Sequence, residues 1–173
     1  AGIKISNIAA VIGVAPIIRV MPNTPALIGE GASALFANER AAALVDKATA
    51  IFAAVGKAVV VENEDLIDAV TAVSGSGPAY FFLLMEEMIK AGVQLGLPES
   101  VAKDLVLQTA RGAGLLAAQA DISGEGPAEL RRKVTSPGGT TEAAIRVFAE
   151  ARMGELISAA ITRARDRARE LSK

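Results

Sequence analysis

The stretch best equipped for chemistry is Ser136-Pro137-Gly138-Gly139-Thr140-Thr141. Two adjacent glycines remove side chains where the backbone turns, and helical spacing resumes at once. The first N–H groups of a helix lack intrahelical acceptors and lie at the positive end of its dipole. The N–H groups of Gly139, Thr140 and Thr141 are therefore candidate donors to a small carboxylate. The hydroxyl of Thr141 or Thr140 can donate to, or accept from, a substrate nitrogen. A capped helix start after a Gly-Gly turn accounts for the same letters. Ser74-Gly75-Ser76-Gly77-Pro78-Ala79-Tyr80 ends one helix and begins another, and reads equally as a tight turn anchored by Tyr80. Glu64 stands just before an apolar helix, where a carboxylate stabilises the N-terminus. Pro22-Asn23-Thr24-Pro25 follows a strand-like run, the place where α/β sheets hold ligands, and a purely structural turn explains it too.

What is missing narrows the chemistry further. The 173 residues contain no His and no Cys. There is thus no imidazole base or metal ligand, no Ser-His-Asp triad, no thiolate nucleophile and no iron–sulfur or zinc–thiolate site. Catalysis must rest on carboxylates, hydroxyls, Lys or Arg, backbone N–H groups or a borrowed cofactor, and no metal site is expected. With 18 Lys+Arg against 19 Asp+Glu, the net charge of −1 offers no field for nucleic acid, and none is expected as a partner. No apolar run reaches the ~18 residues a membrane span needs: Ile8–Ile18 is broken by Pro16, and Pro78–Met85 stops at Glu86-Glu87. No membrane is expected. The lack of Cys is compatible with a reducing, cytoplasmic location. A start at Ala1-Gly2-Ile3 without an initiator Met reads as a piece of something longer.

Those residues need elements to hold them. Hydrophobic residues make up 51% of the chain but aromatic ones only 3%, which suits closely packed helices. The first part reads as mixed α/β: a short helix over Ser6–Ile12, a strand over Pro16–Met21, and a second strand over Gly31–Ala37. A helix follows over Glu39–Val55, closed by Gly56 as C-cap, and then a strand over Ala58–Val61. This pattern suggests the tail of a parallel sheet. Pro22 and Pro25 forbid regular structure between the first two strands.

Strand signals then stop. Asp65–Val73 is helical, and Pro78 suits the first turn of the next helix. Phe81, Phe82, Leu83, Leu84 and Met85 make that helix apolar all round, so burial is expected. Further helices are expected from Pro98 to about Gln119, over Pro127–Val134 and over Thr141–Ala151. In the last helix, Met153–Leu171, the residues Ile157, Ile161, Ala164, Ala168 and Leu171 form a seam for another helix. Its alternating Arg163, Arg165, Arg167 and Arg169 are interspersed with Asp166 and Glu170 and read as a solvated face. Gly29-Glu30-Gly31 and Gly112-Ala113-Gly114 fit a loose GxGxxG pattern. Neither follows a strand and opens a helix, as a dinucleotide fingerprint must.

Three motifs in one order carry a resemblance: Arg19-Val20-Met21-Pro22-Asn23-Thr24-Pro25, then Asp65-Leu66-Ile67-Asp68-Ala69-Val70-Thr71-Ala72-Val73-Ser74-Gly75-Ser76-Gly77-Pro78-Ala79-Tyr80, then Val134-Thr135-Ser136-Pro137-Gly138-Gly139-Thr140-Thr141. Together they resemble pyrroline-5-carboxylate reductase, the enzyme that makes L-proline, over essentially the whole chain. The resemblance implies a fold that is mainly α with a small α/β part. Residues 1–62 would be the end of a Rossmann-type, dinucleotide-binding domain, and 63–173 an all-helical substrate-binding and dimerisation domain. The family's N-terminal portion, with its GxGxxG turn, is absent, and the chain is similar to the C-terminal two-thirds of such an enzyme. Alone it is expected to be inactive.

The resemblance also implies roles. It places the substrate carboxylate in the turn formed by Ser136, Gly138, Gly139, Thr140 and Thr141, with the Thr141 hydroxyl nearest the ring nitrogen as the catalytic group. Glu64 belongs to the substrate end. Ala1 and the Pro22-Asn23 loop border the nicotinamide of NADPH or NADH. Lys133 stands where relatives place a cofactor-contacting polar residue, an Asn in some of them. The implied reaction is hydride transfer from NAD(P)H to the C=N bond of 1-pyrroline-5-carboxylate, by a homodimer that assembles further to a decamer. Such chemistry suits a chain without His or Cys, because the cofactor supplies the hydride while the protein binds and orients. Two other readings stand beside it. One is an oligomerisation module only. The other is a different Rossmann-plus-helical dehydrogenase, such as a β-hydroxyacid type that uses a catalytic Lys.

Overall fold

The computed structural model describes residues 2–172; Ala1 and Lys173 lie outside the described residues. The chain is mainly helical with one small sheet. In order it forms α1 (Ile5–Ile12), β1 (Ile18–Met21), a 3-10 turn (Thr24–Ile28) and β2 (Gly31–Ala37). A second 3-10 turn (Glu39–Leu44) leads into α2 (Val45–Ala53), then β3 (Gly56–Val60), α3 (Leu66–Val70) and a π turn (Thr71–Gly75). The remainder is helical: α4 (Gly77–Gln94), α5 (Glu99–Ile122), α6 (Pro127–Lys133), α7 (Thr140–Glu150) and α8 (Met153–Leu171).

The sheet has the order β1-β2-β3 and differs from the parallel tail expected of it. β1 and β2 are antiparallel, with Ile18 opposite Ala37 and Met21 opposite Ala34. β2 and β3 are parallel, from Gly31 beside Gly56 to Leu35 beside Val60. The reason is the connection. The link Pro22–Glu30 is shorter than the roughly a dozen residues that a parallel crossover requires, whereas the β2–β3 link contains a helix. The two prolines did not exclude regular structure either: Pro25 sits in the first turn of the 3-10 segment, where its missing N–H is harmless.

Gly56 has a different role from the helix cap expected. α2 ends at Ala53 with Ala54 as its cap, and Gly56 opens β3 at φ +143°. A Cβ there would fall 2.1 Å from the Gly31 carbonyl oxygen. Only a glycine lets the two strands start this close together.

The chain divides into two compact units, Ala1–Tyr80 with Ile157–Lys173, and Phe81–Leu156. The first has a core in which Leu35 and Ile67 are each 1% exposed, with Ala34, Ala41, Ala72 and Ala168 also buried. The end of α8 lies against the N-terminal segment, since a Cβ on Gly2 would meet the Leu171 carbonyl oxygen at 2.7 Å. In the second unit α4 and α5 form a hairpin close-packed at Gly92, whose added Cβ would be 3.1 Å from that of Ala102.

The burial expected of α4 is not found: Phe81 is 65% exposed, and Phe82, Leu83 and Leu84 are exposed too. A helix that is apolar all round needs a surface on every side, and this unit supplies too few. The helical stretch Leu66–Gln94 also has a window of mean hydropathy 1.2, long and apolar enough by those measures to cross a membrane. The apolar-run count missed it because the helix continues through Glu86 and Glu87. Those two carboxylates bond Lys90 at 2.6 and 2.8 Å and hold its ammonium pKa above the ordinary value.

Candidate functional site

The Gly-Gly turn lies in the second unit, between α6 and α7. α6 ends in Arg131, Arg132 and Lys133. The backbone turns through Ser136–Gly139 with Gly138 at φ +71°, a conformation that favours glycine. Gly139 is the N-cap residue of α7, and its N–H donates back to the Ser136 carbonyl at 3.0 Å. Gly139 is therefore not one of the free donors expected of it, because the turn itself uses that group. The Gly138 N–H donates to Glu142 Oε2 at 2.7 Å. Thr140 and Thr141 remain as N–H donors at the first turn of α7 without an acceptor among the described residues. Thr141 is half-buried, whereas Thr140, Ser136 and Gly138 are exposed.

Glu142 went unnoticed in the sequence, although its signal was there. An acidic residue three positions after the N-cap is the second half of a capping box. Here the carboxylate reaches one residue further back, to Gly138. Lys133, expected to touch a cofactor, forms an ion pair with Glu125. The turn thus gathers Ser136, Gly138, Gly139, Thr140 and Thr141, with Lys133 a short step before it.

Glu64, Pro22 and Asn23 belong to the first unit. Glu64 Oε1 accepts from the Ile5 N–H at 2.7 Å and from Arg19 Nη1 at 3.1 Å. It caps the N-terminus of α1 from 59 residues away, in addition to standing before its own helix. Arg19 is only 8% exposed, and its Nη2 lies 3.8 Å from Asp68 Oδ1. Asp68 is 1% exposed, and that oxygen has no hydrogen-bond partner among the described residues. Two carboxylates thus surround one guanidinium between β1 and α3. Glu64 Oε2 accepts nothing from the described residues, and the side chain lines a cavity of about 900 Å³ with Ile5, Ser6, Asn38, Glu39 and Glu62.

Asn23 uses both ends of its amide. Oδ1 accepts from the Ala32 N–H at 2.8 Å, and Nδ2 donates to the Ser74 carbonyl at 3.1 Å. Pro22 is exposed at the C-terminal end of β1. Ala1 lies outside the described residues.

Pro22, exposed just after a strand, could border a flat ring at one end of a dinucleotide. No phosphate cradle accompanies it among the described residues: Gly31 opens a strand, and Gly112 and Gly114 lie inside α5. No group of three or more His, Cys, Asp or Glu residues is placed to hold a metal, again among the described residues.

Comparison with known proteins bears on the same segments. Residues 64–171 match the family described as pyrroline-5-carboxylate reductase dimerisation. The chain is 49% identical over 175 residues to the pyrroline-5-carboxylate reductase of Pseudomonas aeruginosa, covering 100% of this chain and 63% of that protein. With the enzyme of the same name from Arabidopsis thaliana it shares 41% identity over 177 residues, covering 100% of this chain and 62% of the relative. The solved pyrroline-5-carboxylate reductase of Coxiella burnetii superposes with a TM-score of 0.94 at 43% identity, over 99% of this chain and 63% of that one. The Plasmodium falciparum pyrroline carboxylate reductase, solved with NADP bound, superposes with a TM-score of 0.87 at 30% identity, over 99% of this chain and 68% of that one. The chain thus spans somewhat under two-thirds of the length of the curated relatives it matches.

Proposed function

The chain belongs to the pyrroline-5-carboxylate reductase dimerisation family, and from that premise we propose that it is the substrate-binding and subunit-joining part of an enzyme that reduces 1-pyrroline-5-carboxylate to L-proline. The observation that carries the reading is the turn before α7. It leaves the N–H groups of Thr140 and Thr141 as donors, and Thr141 also carries a hydroxyl. Those N–H groups hold the substrate carboxylate at the positive end of the helix. The Thr141 hydroxyl bonds the ring nitrogen and orients the C=N bond. When bound, NADPH or NADH supplies the hydride that this bond accepts. The ring nitrogen arrives protonated, so orientation is the main task left to the protein.

Residues 1–62 are read as the end of the dinucleotide-binding domain and 63–173 as the helical domain. By their counterparts in the family, Pro22 and Asn23 are assigned to the nicotinamide border, Lys133 to the cofactor, and Glu64, with its free oxygen, to the substrate end. The exposed apolar face of α4 and α5 supports a homodimer, and assembly to a decamer extends the same proposal. A cytoplasmic location belongs to it as well, testable by cell fractionation.

The deciding experiment is Thr141→Ala in the complete enzyme. Loss of one hydrogen bond made at the reacting group lowers kcat/KM by roughly 10- to 100-fold, with the circular dichroism spectrum and Tm retained. Wild-type kinetics would remove Thr141 from the mechanism.

A further inference from the structure

Of the carbonyl groups that the turn between α3 and α4 leaves without their helical donors, those of Ala72 and Ser74 are met by side chains. In the π turn the Ser76 N–H passes over Ala72 and donates to the Thr71 carbonyl at 2.8 Å. The Ala72 carbonyl, in a residue with no exposure, accepts instead from the Tyr80 hydroxyl at 3.1 Å. The Ser74 carbonyl would ordinarily receive the N–H four residues on, but that residue is Pro78, which has none. Asn23 Nδ2 fills the place at 3.1 Å. A buried backbone carbonyl left unpaired costs as much as a lost hydrogen bond, so both replacements hold the turn in shape.

Asn23 is itself held from the other side. Its Oδ1 takes the Ala32 N–H at 2.8 Å, where β2 begins. An acceptor facing N–H and a donor facing C=O leave only one orientation for the amide. Met21, the last residue of β1, presses on the same turn: a Cβ on Gly75 would lie 2.4 Å from Met21 Cε. The segment Met21–Asn23 is therefore seated on the π turn by packing at one end and a two-ended amide at the other. Departures from α geometry of this kind recur at functional sites.

We infer that Asn23 is a positioning residue for the proposed hydride transfer: its amide substitutes for the N–H that Pro78 lacks and so fixes Pro22 at the edge of the nicotinamide. The inference rests on reading the Pro22–Asn23 loop as the cofactor border. An amide already committed at both ends acts through the loop it holds, so its loss misplaces the ring without removing a cofactor contact. Misplacement is felt in the chemical step, and lost contact in cofactor affinity.

The test is Asn23→Asp in the complete enzyme. The variant keeps an acceptor for Ala32 and sets a carboxylate oxygen against the Ser74 carbonyl. The expected result is a fall in kcat of about tenfold or more with KM for NADPH within about twofold of wild type. Gly75→Ala disturbs the same seat through Met21 without touching Asn23, and gives a smaller fall of the same kind. It serves as the readout if the Asp variant fails to fold. A rise in KM for NADPH at constant kcat would make Asn23 a direct cofactor contact and overturn the inference. A lower Tm with both constants unchanged would make it structural only, which also overturns it. If neither Asn23→Asp nor Pro22→Gly moves kcat or KM for NADPH, the reading of the loop as cofactor border fails instead.

Discussion

Apolar residues are treated in opposite ways by the two units of this chain. In the first, Leu35 and Ile67 are closed in among sheet and helix, and even charged groups are taken inside with them. In the second, Ala102 and Val106 are the buried hydrophobic residues, while Phe81, Phe82, Leu83, Leu105, Leu115 and Leu116 face outward. A sheet covered by a helix makes an interior from few residues. A set of helices that are apolar on several faces has more surface to cover than neighbours to cover it. Exposed apolar area on that scale marks an interaction surface, and in a dimerisation family the natural occupant is a second copy. If the proposed dimer forms, the stability of the first unit is largely its own and that of the second varies with association.

The largest effect that sharpens this contrast is expected from Arg19→Met. It leaves buried Asp68 and half-buried Glu64 facing each other with no cation between them, at a cost of about 3–5 kcal/mol. Denaturant unfolding of the complete protein checks the figure, which should not depend on protein concentration. A change below about 1 kcal/mol would mean that water already screens the cluster and that the first unit is less closed than its burial suggests. Phe82→Asp is the counterpart in the second unit. A charge on the exposed apolar face of α4 is expected to weaken the proposed dimer by about 2–4 kcal/mol, seen as monomer in sedimentation and as a Tm that falls with dilution. An unchanged oligomer would break the comparison, because the face would then be solvent-exposed in earnest.

The smallest effect concerns the surface of α8. Hydrogen bonds from Arg167 and Arg163 hold the Glu170 carboxyl below its ordinary value. A lowered folded-state pKa contributes stability above the unfolded value and loses it as pH falls through the folded one. Glu170→Gln should therefore lower Tm slightly at neutral pH and leave it unchanged where wild-type Glu170 is protonated. A Tm difference that persists in acid would trace to packing at the end of α8.

Much of the fold was legible because helices and turns are written in neighbouring residues. The bounds of α8, the strand Gly31–Ala37, Pro78 in the first turn of α4 and the helix after the Gly-Gly turn all follow from spacing within a few positions. The candidate site was legible as a motif and less so as a set of donors. Gly139 looked free and is bonded to Ser136, and Glu142, unnoticed in the sequence, holds Gly138. Asn23 and Glu64 were singled out for ligands, and the structure gives each of them partners in the chain, 51 residues away for Asn23 with Ser74 and 45 for Glu64 with Arg19.

From its sequence alone this protein was determined to be mainly helical, to lack imidazole and thiolate groups for catalysis, and to carry ordered motifs that resemble those of a cofactor-dependent reductase. Those properties depend on residue types and on separations of a turn or two. Only the tertiary structure decided that the sheet is mixed, that Gly56 serves a strand and not a helix end, that the face of α4 is open, and that Pro78 borrows its missing donor from Asn23. Each of these depends on where distant segments meet. Their pairing is set by packing and by the need to satisfy buried polar groups, which no local run of letters specifies.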